Sequence, residues 1–385
     1  MKILIVGASL LFTTLSFSQK PESVYSIVKE RHEFAWYETQ AKLWKGEIDL
    51  SKENGNAWYN YYMANRAMAN LSEENEDRQM YMDKQESISK EAYQIIPNSF
   101  EANFLMYKSR KLETEVTKFA YLEKAFELRP SDPRTYVDFI VHYTIMNDQE
   151  KLNKFAIKFF NANEIAGPVY NWAYNQLAEV EENAIIFTAG DNDTFSFLAL
   201  QAAKNFRKDV TIINTSLFLL NDYRKELMNK LEIKTSDLNV EECQSVSGLD
   251  SMKNILFQEI FENKKHPAYV SSTAAFQFEE EFGEDLYLTG LAYKYSKEKI
   301  DNISLIRRNY EKRYLLNHLT MNFSFNMADK VADRVNATYL PAFVKLYKHY
   351  RDCEEIEKMK ILESYLVDIS KKADKYEDIK KLIEG

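Results

Sequence analysis

Ala184-Ile185-Ile186-Phe187-Thr188-Ala189-Gly190-Asp191-Asn192-Asp193-Thr194-Phe195 sets the architecture of the central part of the chain. An apolar, β-branched run ends in glycine and a tight acidic cluster. Ser196-Phe197-Leu198-Ala199-Leu200-Gln201-Ala202-Ala203 then takes up a helical pattern. Strand, glycine, acidic turn and helix in that order put polar groups at the carboxyl end of a strand, the edge at which open α/β sheets hold ligands. The next β-type run, Asp209-Val210-Thr211-Ile212-Ile213-Asn214-Thr215, completes a βαβ unit, which is parallel and right-handed by rule.

Downstream, a helix is predicted over roughly 251–263. His266-Pro267-Ala268-Tyr269-Val270-Ser271-Ser272 and Leu286-Tyr287-Leu288-Thr289-Gly290-Leu291-Ala292-Tyr293 read as two more strands. The expectation for 166–301 is a small, mainly parallel α/β domain of about four strands. Residues 302–385 return to helix, with a pair at 335–350 and 355–372 as a cap, the first interrupted or bent by Pro341.

Residues 19–165 read as helices throughout. Glu91-Ala92-Tyr93-Gln94-Ile95-Ile96-Pro97-Asn98-Ser99 and Lys124-Ala125-Phe126-Glu127-Leu128-Arg129-Pro130-Ser131-Asp132 share their alanine and proline at an offset of 33. Each ends a helix and restarts one from a Ser or Asp in capping position. That phase is tetratricopeptide-like, a repeat of about 34 residues that stacks into a protein-binding surface. The fold class expected is therefore α plus α/β: N-terminal helical repeats, a small sheet domain and a C-terminal helical cap. Trp58-Tyr59 and Tyr61-Tyr62, at helical spacing, read as repeat core rather than as a ligand platform.

Residues 1–18 have the pattern of a secretory signal peptide: Lys2, an apolar stretch from Ile3 to Leu15, then Ser16-Phe17-Ser18. Cleavage is expected between Ser18 and Gln19. With no cysteine at that junction, a lipoprotein anchor is not expected. The mature chain has no further apolar segment of transmembrane length, so it is expected in the periplasm. A 45% hydrophobic and 14% aromatic content can fill a core, and a net charge of −9 disfavours nucleic acid as a partner. Histidines stand at 32, 142, 266, 318 and 349, and neither Cys-x-x-Cys nor His-x-x-x-His occurs, which points away from zinc.

The candidate ligand-binding residues are Asp191, Asn192, Asp193 and Thr194 on the acidic turn, with Asn214 and Thr215 at the next strand end. Two carboxylates one residue apart can converge on a hard divalent metal, so Asp191 and Asp193 are the metal candidates. The competing reading is structural: Gly190 permits the turn, Asp193 or Thr194 caps the helix, and Asp191 accepts backbone N–H groups. The phosphatase-type Asp-x-Asp-x-Thr misses by one residue, and the glycine and glutamate of a helix–loop–helix calcium loop are missing. Gly-x-Gly-x-x-Gly and Gly-x-Ser-x-Gly are absent. Ser271-Ser272-Thr273 has no histidine placed by sequence to activate it, and His266, before Pro267, reads as structural. Asp250-Ser251-Met252, in a stretch that reads as a polar loop, fits an acceptor pattern of periplasmic O-glycosylation.

Gly190-Asp191-Asn192-Asp193-Thr194-Phe195, Gln201, Arg207-Lys208-Asp209-Val210, Asn214 and Ser216-Leu217 together resemble a signature of a bacterial protein O-mannosyltransferase-like membrane family. His266-Pro267-Ala268-Tyr269 and Gly290-Leu291-Ala292-Tyr293-Lys294 are similar to two further motifs of that family, in the same order, so the likeness runs over about 165–350. Ser196 stands where the family has proline, and Leu219-Leu220-Asn221-Asp222-Tyr223 replaces an Asn-Thr-Asp-Trp-Tyr. The resemblance implies a relative of the family's soluble C-terminal part, without its membrane-spanning part. The function expected is an exported periplasmic adaptor or scaffold that binds an envelope protein or peptide through its repeats, with a ligand pocket at the acidic turn. The alternative is a domain or enzyme of a glycosylation pathway that binds glycans or glycosyl donors with a divalent metal.

Overall fold

The computed structural model describes residues 20–109, 114–243, 245–321 and 329–384. The signal-peptide reading and its Ser18–Gln19 cleavage site lie outside them. The chain divides into two compact units between Leu128 and Arg129, with the short Ile27–Arg31 stretch grouped with the second. The helical stretch from 129 to 165 therefore goes with the sheet, and the boundary read at 165 falls inside the second unit.

The first unit is helical: α1 (Phe34–Leu50), α2 (Gly55–Leu71), α3 (Asn75–Ile95), α4 (Phe100–Lys108) and α5 (Glu115–Leu128). Each packs on the next in sequence, and α2 also reaches α4. Asn54 and Ser99 cap α2 and α4 by accepting the Ala57 and Ala102 N–H groups. Ala92 on α3 and Ala125 on α5, the paired positions of the repeat, are both fully buried. Trp58 and Tyr62 are core; Tyr59 and Tyr61 are half-buried.

The second unit begins with α6 (Tyr136–Ile145), α7 (Gln149–Asn161) and α8 (Gly167–Glu179). The sheet region follows as β1 (Ile185–Thr188), α9 (Asp191–Lys204), β2 (Thr211–Asn214), α10 (Asn221–Lys230), α11 (Val246–Phe261), β3 (Ala268–Ser271), α12 (Glu279–Phe282), β4 (Leu286–Leu288) and β5 (Ala292–Tyr295). Then come α13 (Asn302–Lys312), α14 (Asn317–Thr320), α15 (Asp329–Asn336), α16 (Leu340–Asp352), α17 (Ile356–Lys372) and α18 (Tyr376–Glu384). The fold is α plus α/β, as the sequence indicates.

Strand order is β2-β1-β3-β5-β4. The first two pairings are parallel and the last two antiparallel, so the sheet is mixed and has five strands where about four, mainly parallel, were expected. Along β1, side chains alternate between faces. Ile185 and Phe187 enter a core with Phe218, Phe257, Phe261, Val270 and Phe278. On the other face, Ser271 of β3 meets Gln176 of α8.

Two expectations are corrected and a third is sharpened. Leu286–Tyr293 is a hairpin rather than one strand, because its centre is captured by a buried glutamate described below. The 335–350 stretch is interrupted just before Pro341 by the short 3₁₀ turn Ala337–Tyr339, and Pro341 sits in the first turn of α16, where its missing N–H costs nothing. Asp250-Ser251-Met252 lies within α11, which starts five residues before Ser251, and the Ser251 hydroxyl donates to the Ser247 carbonyl one turn back.

Candidate functional site

The chain leaves β1 toward β2 on one side and later returns to β3 on the other. The crevice where connections from adjacent parallel strands diverge is the ligand position of doubly wound sheets. Here the chain's own side chains bridge it. Asp193, only 1% exposed, accepts from the Gly190 and Thr194 N–H groups through Oδ1, both at 2.8 Å. Its Oδ2 accepts from the Ala189 N–H at 2.9 Å and from the Thr273 hydroxyl, beyond β3, at 2.5 Å. A carboxylate offers about four lone-pair sites. All four are in use, which leaves Asp193 no lone pair for a cation.

Around this carboxylate lies a network of hydroxyls and amides. Thr194 Oγ1 touches Thr188 Oγ1 at 2.8 Å and accepts from Asn214 Nδ2 at 3.0 Å. Asn214 Oδ1 accepts the Ser216 and Leu217 N–H groups and closes the turn after β2. Ser271 Oγ lies 2.7 Å from Thr273 Oγ1 and 3.0 Å from Gln176 Oε1. Thr273 gives its proton to Asp193, so the Ser271 proton is shared between those two neighbours.

The structure thus joins Asp193, Thr194 and Asn214, and puts Thr215 beside them, its N–H donating to the Thr188 carbonyl. Thr215 Oγ1 is buried with no partner among the described residues. Asp191 and Asn192 stand at the outer edge of this network. Asp191 is exposed and Asn192 half-buried on the first turn of α9, where the acidic side chain complements the helix dipole. The rim is polar, and its reachable groups are suited to hydrogen bonding.

Residues 169–278 match the family model described as TMEM260-associated domain 2. No curated protein matches the chain. The matched stretch runs from α8 to the residue before α12, under a third of the chain, and corresponds to a domain of unknown function linked to a membrane-protein family. No helix of the described residues is long and apolar enough to cross a membrane.

Several residues of the matched stretch hold its frame. Gln201 donates from Nε2 to the carbonyls of Arg207 and Val210. Arg207 caps the end of α8 by donating to the Leu177, Val180 and Glu181 carbonyls and pairs with Asp209, whose carboxyl that guanidinium holds down at about 2. Ser196, at the family's proline position, turns its hydroxyl back onto the Asn192 carbonyl at 2.5 Å. His266 is pinned between the Asn183 and Leu231 carbonyls at the opposite end of β3. Cys243 and Cys353 are not disulfide-bonded.

A second buried carboxylate was not singled out from the sequence. Glu179, the last residue of α8, accepts through Oε1 from Thr289 Oγ1 at 3.0 Å and the Ala292 N–H at 2.8 Å. Through Oε2 it accepts from the Leu291 N–H at 2.8 Å and from the Tyr314 hydroxyl. Burial pushes its carboxyl up to about 7, against the opposing pull of these donors. Gly290 sits in the middle at φ +154°, and a Cβ there would lie 1.9 Å from Tyr314 Oη and 2.6 Å from Glu179 Oε2. This capture turns Leu286–Tyr295 into a hairpin. The available signal was an acid flanked by Leu177, Ala178 and Val180.

Proposed function

We propose that this protein is an exported, periplasmic adaptor whose N-terminal, tetratricopeptide-like helices bind an envelope protein or peptide, with the α/β unit as a second binding surface. The observation that carries this reading is the stacking of successive helices with Ala92 and Ala125 buried at equivalent positions one repeat apart. Such arrays bury a continuous core and leave an extended surface for a partner. The test is crosslinking and co-purification of the full chain from envelope extracts at native expression, beside Leu50→Glu and Val116→Glu. Both positions are exposed on the first unit and lie outside its core. A partner that is lost with either variant supports the adaptor; no specific partner for the wild type overturns it.

A second reading is supported by the match to TMEM260-associated domain 2 and by the polar rim of Asp191, Asn192 and Asn214 at the strand ends. In it the rim binds a glycan or a glycosyl donor. The saturated state of Asp193 leaves Asp191 as the remaining carboxylate for a divalent metal. The test is thermal unfolding against divalent metals, sugar nucleotides and glycans, with Asp191→Asn alongside. A ligand at 100 times its Kd stabilises by about 2.7 kcal/mol. Such a shift, lost in Asp191→Asn, supports this reading; no shift across the panel counts against it.

A further inference from the structure

We propose that His349, Cys353 and Glu355 form a binding site for one thiophilic divalent cation of the zinc class. Helical spacing supplies the first two ligands. His349 lies in the last turn of α16 and Cys353 caps its end four residues later, so both share one face. This is the geometry of a His-x-x-x-His pair with sulfur in place of the second imidazole, a pattern the two zinc spacings considered above do not cover.

Cys353 Sγ lies 3.8 Å from His349 Nδ1 and 3.9 Å from Nε2. Zn–S and Zn–N bonds of about 2.3 and 2.0 Å at a tetrahedral angle put the two donor atoms about 3.5 Å apart. The pair is thus within a few tenths of an ångström of the spacing a bound ion requires.

The third ligand arrives through the chain reversal after α16. Glu354 adopts the left-handed conformation at φ +58°, a position usually given to glycine. Its N–H bonds the Arg351 carbonyl at 3.1 Å, and the Glu355 N–H bonds the Tyr350 carbonyl at 2.9 Å. This turn brings Glu355 back beside the last helical turn, and donor atoms of all three side chains lie within 4.8 Å of one another.

Two cations also hold Glu355, and they orient it. Arg307 donates to Oε1 at 2.6 Å and to Oε2 at 2.8 Å, and Lys358 Nζ lies 2.7 Å from Oε2. Three of four lone-pair sites are thereby used, leaving one on Oε1 for the ion. Glu311 engages both cations, at 3.0 Å from Arg307 Nε and 2.9 Å from Lys358 Nζ, and offsets their charge. Outer partners that fix a ligating carboxylate in this way are general in metal sites. A thiolate, a neutral imidazole and a carboxylate suit zinc, cobalt and their neighbours rather than calcium or magnesium. Three protein ligands at a partly exposed surface leave a fourth position for water.

The test is titration of the full-length, reduced protein with Co²⁺. A single saturating site with a thiolate-to-cobalt charge-transfer band is expected, with cobalt displaced by zinc. Cys353→Ser should abolish the band, His349→Ala should weaken binding by at least about tenfold, and Glu355→Gln should weaken it while the band persists. Cys243→Ser, which removes the other thiol, should change nothing. Circular dichroism of each variant separates loss of binding from loss of fold. The proposal is overturned by a wild type with no band, by a band that survives Cys353→Ser, or by one that disappears in Cys243→Ser.

Discussion

Asp193 and Glu179 are two buried carboxylates in one α/β unit, and each is satisfied by four donors. Asp193 draws three of its four from within four residues of itself. Glu179 draws all of its own from residues more than a hundred positions away. The first shapes a local turn and then reaches across the sheet to Thr273. The second dictates the conformation of a distant segment, turning a run of strand-forming residues into a hairpin. Burial alone therefore does not tell the role of a buried acid; the sequence distance of its donors does.

The largest effect is expected from Gly290→Ala. The added Cβ would collide with Tyr314 and Glu179, and the backbone conformation there favours glycine. A loss of about 4 kcal/mol or more, or failure to fold, is expected in urea denaturation. Next, Glu179→Ala strands two backbone N–H groups and should cost about 3 kcal/mol. It should also flatten a pH dependence that the wild type shows. The Glu179 carboxyl is raised from 4.5 to about 7, so the folded chain holds this proton better than the unfolded one. That stability is full below about pH 4.5 and is lost as pH rises through about 7, by about 3 kcal/mol at 1.36 kcal/mol per unit. Urea midpoints measured from pH 4.5 to 8 test this; a wild-type profile identical to that of Glu179→Ala would refute it.

At the other carboxylate, Asp193→Ala orphans the Ala189 and Gly190 N–H groups, while the Thr194 N–H keeps the Gly190 carbonyl, and should cost about 2–3 kcal/mol. Thr273→Val removes the bond across the crevice and one of the two acceptors of Ser271, which keeps Gln176, and should cost about 1 kcal/mol. Asp191→Asn, on the exposed first turn, should stay within about 0.5 kcal/mol. A large loss at Asp191, or none at Asp193, would reverse the roles assigned to the two acids.

What could be read from the sequence follows the same division. The strand, glycine, acidic turn and helix at 184–203 are legible because Asp193 bonds its own neighbours. So are the caps at Asn54 and Ser99, which use donors three residues on. The hairpin at Thr289–Leu291 is only half legible: Gly290 marks a weak point within the strand pattern of Leu286–Tyr293, but the glutamate that captures it lies on α8. Pro341 signals the interruption of the 335–350 stretch but not its form. The proline shows where the helical pattern breaks; that the break is a short 3₁₀ turn at Ala337–Tyr339, with Pro341 in the first turn of the next helix, depends on the fold. Thr273 could be placed at a strand end, but its bond to Asp193 depends on β3 lying beside β1, which one chain's pattern does not state.

Helix α8 has a consequence for how the second unit comes into being. Asn175 holds the Leu315 backbone and the Tyr339 hydroxyl, Gln176 donates to the Leu291 carbonyl, Trp172 donates to Thr338, and Glu179 binds the hairpin. These partners lie 110 or more residues downstream, beyond the end of the 169–278 stretch. A nascent chain that has emerged only as far as Phe278 carries α8 with these polar side chains waiting. Contacts so distant in sequence slow folding, because their loop entropy is paid before they form. The second unit is thus completed late in synthesis, and a fragment cut to 169–278 would expose the polar face of α8 rather than fold as the intact chain does.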